Sequence, residues 1–415
     1  MNQNYFIKCS VCGACHRVRI QAGYLNCYPV RFYCGECGSR ICGEVRLDPL
    51  KAKVDFVLDE STAASFCHEY PKSAYLVECS GELLTKKMHK QQLDTTSFFK
   101  TSNPFFEAIK VIDQDKFCSY IRKVVGCLGY YEHSWESVYR ALHLFTIRNE
   151  KYALNQIAFC EADIFPDYCI EETQFGERVD RLFWLGIPML ASEETFDRAL
   201  QAKSFMRKIK PEKAKELIDY QKTIDEDARS VLSEILDVVD CFANLFPSLI
   251  PAFTYQLSEE KYDLNSFGTN SCTLEDIRSI YCDAYELLGR LTCILIGLDN
   301  IIRSRSFDTM PQNTAGLPKD FFKLKGIAKG TLLKLPLKGA FIDLLNPAWS
   351  VDLRNAFSHK GFKIDPKEQL IHVVEKDGTI HHEKDLWIMD AMCQCVEMVR
   401  NLCVCWEIML CLDLV

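Results

Sequence analysis

Residues 1–20 hold no apolar core behind a charged start, so no secretory leader is expected. No apolar run reaches the length of a membrane span either. The longest, Leu291 to Ile302, is interrupted by Gly297, Asp299 and Asn300. Together these absences point to a cytoplasmic chain with no membrane role, in which disulfides are not expected. Positive charge is not in excess: 49 Lys and Arg against 57 Asp and Glu leave a net charge of −8. That argues against a protein coated with nucleic acid and confines any RNA contact to a local basic patch. Internal repeats, low-complexity tracts and a Gly-rich phosphate loop are all missing. What is left is a 415-residue chain, 48% hydrophobic and 26% charged, the composition of a globular protein with ample core and, at this length, two or three domains.

Without disulfides, the 22 cysteines need another explanation. Fifteen are scattered, many inside apolar helical patterns such as Cys393, Cys395, Cys403, Cys405 and Cys411, and read as small buried hydrophobes. The other seven crowd the first 42 residues. Among them, Cys9-Ser-Val-Cys12-Gly13 and Cys34-Gly-Glu-Cys37-Gly38 are two Cys-x2-Cys-Gly turns. Each can point two thiolates at one ion, with the Gly freeing the backbone for a tight turn. Between them, His16 to Ile20 and Tyr28 to Tyr33 are rich in β-formers and separated by Gly23 and Asn26, which predicts a hairpin.

Two such turns closed by a hairpin resemble a zinc ribbon. The resemblance implies Cys9, Cys12, Cys34 and Cys37 as tetrahedral ligands of a structural Zn²⁺, with a mononuclear iron centre as the lesser option. Cys15, His16, Cys27 and Cys42 are further candidates. Arg17, Arg19, Arg31, Arg40 and Arg46 make the module basic.

Residues 51–100 stay extended, with strands over Val54 to Leu58 and Ala74 to Glu78, and form a small β-rich annex. Residues 101–262 turn helical: Phe105 to Ile112, Phe117 to Leu128, Trp135 to Arg148, a helix begun by Pro211, and a long one over Glu226 to Phe246 carry apolar residues at three and four spacings. Ser192-Glu-Glu-Thr195 marks a helix start. His133 and His143 have no carboxylates at ligand spacing, and Glu171–Glu172 and Glu193–Glu194 point to different faces. This middle region reads as a helical sensor or scaffold. A polar run near Glu259 to Ser271 is expected to be a linker, after which Thr273, Glu275 and Asp276 start a helix that runs to about Arg303.

Near the C-terminal end stands Trp349-Ser-Val-Asp-Leu-Arg-Asn-Ala-Phe-Ser-His-Lys-Gly361. Pro347 precedes it, Leu353 and Phe357 give it a buried stripe, and Gly361 is placed to close it, so a short helix is expected. His359 falls in the last turn, where the helix dipole favours imidazolium. Asn355 shares its face and can fix the ring's tautomer. Arg354 lies about 140° away around the helix at 100° per residue, so both converge on one substrate only if the Arg reaches around or a second copy supplies half the site.

Arg354, Asn355 and His359 resemble the Arg-Asn-x3-His signature of the HEPN superfamily, four-helix bundles that include many ribonucleases. The resemblance covers 271–415. It implies a homodimer, with RNA cut by attack of the ribose 2′-hydroxyl on the adjacent phosphorus, no metal in the chemistry, His moving protons and Arg stabilising phosphate charge. It further implies a toxin or antiviral (abortive-infection) role released by an activating ligand or protein. Asp283 and Glu286 are weak candidates for a supporting acid. Arg303, Arg305, Lys319, Lys323, Lys325, Lys329, Lys334 and Lys338 face only Asp308 and Asp320, a basic edge that with Lys360 would bind RNA phosphates. Phe321 and Phe322 there could stack on bases. Downstream, Phe362 to Ile364, Leu370 to Val374 and Thr379 to His382 are expected as strands around an Asp377-Gly378 turn. His372, His381 and His382 sit on this insertion with no acidic or thiol partner expected, and Asp385 to Leu412 makes a long last helix.

The expected protein is thus mainly α: a zinc ribbon at 1–50, a β annex at 51–100, a helical middle at 101–262 and a HEPN-type bundle at 271–415. The expected activity is endoribonuclease. The rival expectation is a non-catalytic dimerisation or nucleic-acid-binding protein with a zinc-ribbon interaction module.

Overall fold

The computed structural model describes residues 2–48, 50–93, 103–168, 174–209, 211–224, 227–258, 262–304, 306–310, 318, 320–359, 361–375 and 377–414, without the side chains at 211, 212, 304 and 325. Lys360, the Lys325 side chain, Arg305, Lys319, Pro311, Gly316, Glu259 and the Glu171–Glu172 pair lie outside the described residues.

Helix makes up 54% of the structure, so the expectation of a mainly α protein with small β-sheets holds. The strands are β1 (Asn2–Cys9), β2 (Cys15–Gln21), β3 (Cys27–Tyr33), β4 (Arg40–Asp48), β5 (Lys53–Leu58), β6 (Ala64–Phe66), β7 (Ser73–Cys79), β8 (Thr85–Lys86), β9 (His89–Gln92), β10 (Phe267–Gly268), β11 (Phe362–Asp365), β12 (Leu370–Val373) and β13 (Leu386–Trp387). The helices are α1 (Pro104–Ala108), α2 (Gln114–His133), α3 (Trp135–Thr146), α4 (Glu150–Phe159), α5 (Phe175–Gly186), α6 (Glu193–Arg207), α7 (Pro211–Thr223), α8 (Ala228–Leu257), α9 (Leu274–Ser304), α10 (Lys329–Leu332), α11 (Val351–His359) and α12 (Ile388–Asp413).

Local chemistry sets the helix ends. Ser192 Oγ accepts the Thr195 N–H to start α6. At the start of α9, the Thr273 N–H and hydroxyl both donate to Asp276 Oδ2, at 2.7 and 2.6 Å, and the Asp276 N–H returns to the Thr273 carbonyl. This is the carboxylate half of a capping box, with Asp276 reaching back to the N–H of the residue that precedes the helix. Helix α8 corrects one expectation: with mean hydropathy 1.4, it is long and apolar enough to cross a membrane by length and composition. Sixty-seven per cent of that window is buried, the pattern of a core helix.

The chain packs as two compact units. The first takes Met1–Leu128, Asn244–Ser279 and Asp352–Gln394, and the second Gly129–Ala243, Ile280–Val351 and Cys395–Val415.

All the strands above belong to the first unit. One sheet runs β6-β1-β2-β7-β9, a second β3-β4-β5, a third β11-β12-β13, and β8 pairs with β10. The hairpin expected between β2 and β3 is not formed. Instead β2 pairs antiparallel with β1 and parallel with β7, while β3 pairs with β4. The sequence Cys15–Gln21 explains the choice: flanked by strands on both sides, β2 buries His16, Arg17, Val18 and Ile20 almost completely. The annex strands β5 and β7 thus complete the sheets of the two N-terminal hairpins.

The polar run expected as a linker is also different. Thr269, Asn270, Ser271 and Thr273 are buried. Asn270 Nδ2 donates to the Glu78 carbonyl at 2.7 Å, Ser271 Oγ to the Ser248 carbonyl at 2.8 Å, and Gln369 clasps Thr269 through both its N–H and its carbonyl, at 2.9 and 2.7 Å. Short polar side chains suit a buried strap as well as a loop, because each can satisfy a backbone group that burial would otherwise strand.

In the second unit, Phe183 stacks on Trp406 with ring centroids 4.1 Å apart, and Cys403 and Cys405 lie wholly buried beside them on α12 as small hydrophobes. Two polar clasps hold the segment leading into α11. Asn401 Oδ1 accepts the Asn346 N–H at 2.9 Å, and its Nδ2 donates to the Asn346 carbonyl at 2.7 Å. Arg198 braces this pair through Asn401 Oδ1 (2.9 Å) and Glu397 (2.8 Å). Earlier in the segment, the Asp299 carboxylate accepts the N–H groups of Phe341 (2.9 Å) and Ile342 (3.3 Å), and burial pushes its pKa up to about 6. Tyr281 OH then accepts the Ser350 N–H at 2.8 Å.

Candidate functional site

The two Cys-x2-Cys turns are the tips of two separate hairpins. Cys9 to Gly13 links β1 to β2, and Cys34 to Gly38 links β3 to β4. In each turn the Gly N–H donates to the first Cys carbonyl at 2.9 Å, and Gly13 and Gly38 take φ of 78° and 71°, which a side chain would strain. The tips meet. Cys9 Sγ lies 3.7 Å from Cys37 Sγ, Cys12 Sγ lies 3.6 Å from Cys34 Sγ, and all four sulfurs fall within 4.8 Å of one another. These separations are too long for disulfides. A tetrahedral ion with bonds of about 2.3 Å has sulfur–sulfur edges of about 3.8 Å, so the four thiols fit a single metal ion.

Cys9 and Cys34 are buried while Cys12 and Cys37 face solvent. Burial pushes the Cys34 thiol up to about 12, whereas Ser39, its hydroxyl 3.2 Å away, draws Cys37 down to about 6. Cys15, Cys27 and Cys42 stand outside the sulfur group. His16 is a support instead. Wholly buried, and pushed by burial down to about 4, it accepts the Gly35 N–H on Nε2 at 3.3 Å and stacks on Tyr75.

The module's arginines are engaged within the fold. Arg17 bonds Asn4 (2.9 Å), Arg19 approaches Glu78 (3.7 Å), Arg31 pairs with Asp59 (3.3 Å), Arg46 pairs with Glu44, and Arg40 pairs with Asp276 in the first turn of α9. Tyr33, just before Cys34, bonds Glu275 and accepts the Leu274 N–H at 3.1 Å. The second cysteine hairpin is therefore anchored to the start of α9.

The expected helix around Arg354 is α11. Leu353, Ala356 and Phe357 are buried, while Asn355 and His359 are exposed and Arg354 is half-buried. Asn355 Oδ1 accepts from Arg354 Nη1 at 3.1 Å, so its amide steadies the Arg rather than the His. Gly361 closes the helix through its N–H to the Ala356 carbonyl at 3.0 Å, without positive φ. Its lack of a side chain serves a close approach: a Cβ there would meet the Val374 carbonyl at 2.7 Å.

The basic run is partly neutralised within the second unit. Lys329 pairs with Glu286 (2.6 Å), Lys338 approaches Asp343 (3.4 Å), and Arg303 bonds Asn300 and Thr309. Lys323 and Lys334 face solvent. Phe321 is buried and Phe322 is 58% exposed, and both line a cavity of about 350 Å³ with Tyr220, Ile294 and Leu332. Asp283 lies in a separate, acidic cleft with Glu234, Asp237 and Glu286.

The histidines of the insertion do have acidic partners. His372 Nδ1 and His382 Nδ1 lie 2.9 and 3.0 Å from the same Asp385 oxygen, and His381 pairs with Glu383 at 2.8 Å. The sequence signal was there in Asp385, three residues after His382. Its pairing with His372 depends on β12 folding back on β13, which spacing alone does not reveal. The Leu370–Val373 strand also pairs with β11 across the Pro366 turn, and among the described residues a single Val374–Ile380 bridge flanks Asp377-Gly378.

Comparison with protein-family models, curated proteins and solved structures returns no match for this chain.

Proposed function

We propose that the chain is a metal-independent RNA endonuclease of HEPN type, with Arg354 and His359 catalytic and a zinc-ribbon module at the N-terminus. The observation that carries this reading is α11. It is a short helix fixed by three buried side chains, and it carries Arg354, Asn355 and His359 in the order of the superfamily's signature, with Asn355 and His359 exposed and Arg354 half-buried. In the proposed reaction the ribose 2′-oxygen attacks the adjacent phosphorus and loses its proton. The bond from phosphorus to the 5′-oxygen breaks, and that oxygen gains a proton. His359 moves these protons. The Arg354 guanidinium, held by Asn355, stabilises the charge developing on the phosphate oxygens. Lys323, Lys325, Lys329 and Lys360 would neutralise flanking phosphates. Within the second unit, Lys323 faces solvent and Lys329 is already paired with Glu286.

The four-cysteine group would hold Zn²⁺ in a closed thiolate shell, a structural role that uses no open coordination position. The active form would be a homodimer in the cytoplasm, released by an activating ligand or protein in a toxin or antiviral setting. The test is cleavage of total tRNA and a structured RNA by wild type, Arg354→Ala and His359→Ala in chelator, with the product ends identified. The reading expects 2′,3′-cyclic phosphate and 5′-hydroxyl ends from wild type alone. RNA binding without cleavage, unchanged by both substitutions, would favour the non-catalytic alternative.

A further inference from the structure

We propose that His372, His382 and Asp385 form a second metal site, for a divalent transition-metal ion of the zinc class, independent of both the cysteine cluster and the ribonuclease reading. The site is set by backbone register. Ile371 pairs with Leu386 across β12 and β13, which places His372, the next residue of β12, beside Asp385, the residue before β13. His382 arrives on the short 3-10 turn His382–Lys384. The two imidazole rings stand at 89° with centroids 5.6 Å apart, and their Nδ1 atoms lie 2.9 and 3.0 Å from one oxygen, Asp385 Oδ2. One donor atom from each of the three residues falls within 4.8 Å of the others.

Ion pairing alone does not account for this arrangement. The His382 contact has hydrogen-bond geometry. His372 Nδ1 does not, and both it and Asp385 Oδ1 are buried with no hydrogen-bond partner. A buried ring nitrogen and a buried carboxylate oxygen left without hydrogen bonds are unfavourable. A cation coordinated by these groups would relieve that. The spacing is also close to a ligand set: an ion with bonds of about 2.0–2.1 Å has ligand–ligand edges of about 3.3 Å, reached by a small outward relaxation. Two imidazoles and one carboxylate are the donors that zinc and its neighbours prefer, and three protein ligands leave a position open for water or an external donor. His382 is exposed, which gives an ion a path in. Lys384, between two of the ligands, reaches Glu375 (3.3 Å) and Asp352 (3.9 Å) in the first turn of α11. Binding at this site would therefore be felt at that helix.

The experiment is metal analysis of the full chain after loading with Zn²⁺ and dialysis, repeated with Co²⁺ and read by visible absorption. The variants are His382→Ala, Asp385→Asn and, as a neighbouring non-ligand, His381→Ala. The site predicts that wild type and His381→Ala carry one equivalent more than His382→Ala and Asp385→Asn. With Co²⁺, the same two variants should lose a weak d–d band while keeping the intense thiolate charge-transfer absorption. His382 is exposed, so its removal spares the core, and circular dichroism verifies this. Equal metal content in all four proteins would overturn the proposal and leave three residues joined by ion pairs.

Discussion

Asn401 bonds both backbone polar groups of Asn346, whose carbonyl also accepts the Ala348 N–H at 2.7 Å, and Arg198 fixes Asn401 in turn. Asn401 is wholly buried, so truncation strands the Asn346 N–H and part of the Arg198 guanidinium. Asn401→Ala should cost roughly 2–4 kcal/mol, measurable as a fall in the denaturant midpoint at unchanged slope. Asp299 acts at the same segment but carries a pH signature. Its folded pKa, raised by burial to about 6 from the ordinary 3.8 of an aspartate, means that the native state holds the proton more tightly than the unfolded state. Stability therefore falls as pH rises from about 4 to about 6, since the unfolded chain binds fewer protons across that window. Asp299→Asn should remove this slope, with a difference of roughly 1–3 kcal/mol between the ends of the window by chemical denaturation. At the cysteine cluster, Cys34→Ser should cost the thiolate-bound metal equivalent and its cobalt charge-transfer band, leaving the band assigned to His372, His382 and Asp385 in place. Neither clasp is legible in the sequence. Asp299 reads there only as a break in an apolar run, and the partners of Arg198 and Asn401 lie more than fifty residues away in sequence. The two Cys-x2-Cys-Gly turns, by contrast, are local, and the spacing announced both their shape and their convergence.

Among the elements, α11 was the easiest to foresee, because Leu353 and Phe357 one turn apart and a Gly after the last turn act within a dozen residues. Its surroundings were harder. Gly361 was expected to end the helix by backbone freedom, and it does so by letting the Val374 carbonyl approach closely. Gly361→Ala should therefore cost roughly 1–3 kcal/mol through overpacking, read as a lowered melting temperature, whereas a glycine needed for positive φ would show its cost as backbone strain. The β-strands show the same limit more sharply. Runs of β-formers locate β2, β3, β5 and β7 to within a residue or two, yet the hairpin expected of β2 and β3 gives β2 the wrong partner. Its neighbours are β1, just upstream, and β7, more than fifty residues downstream in parallel register, a pairing that no hairpin rule anticipates. The buried strap from Thr269 to Thr273 was misread for a related reason: Thr, Asn and Ser mark loops by composition, but also satisfy buried backbone when other strands pack over them.

For the whole molecule, the acidic balance of −8 and the helical majority were readable from composition, while the division into two units, each assembled from three separate stretches, was not. The proposed active form pairs two chains, and the angular separation of Arg354 and His359 gives that proposal a consequence. If one copy's Arg serves with the other's His, then mixing inactive Arg354→Ala with inactive His359→Ala under conditions of subunit exchange should restore part of the RNA cleavage. If each copy holds a complete site, the mixture should stay inactive.

Whether His359 cuts RNA is best tested in cells, which supply whatever activator the protein needs. RNA from cells expressing wild type or His359→Ala at matched protein levels is compared for fragments bearing 2′,3′-cyclic phosphate ends. Such fragments, together with growth arrest, are expected from wild type only. Arrest or fragmentation that persists unchanged in His359→Ala would contradict that expectation.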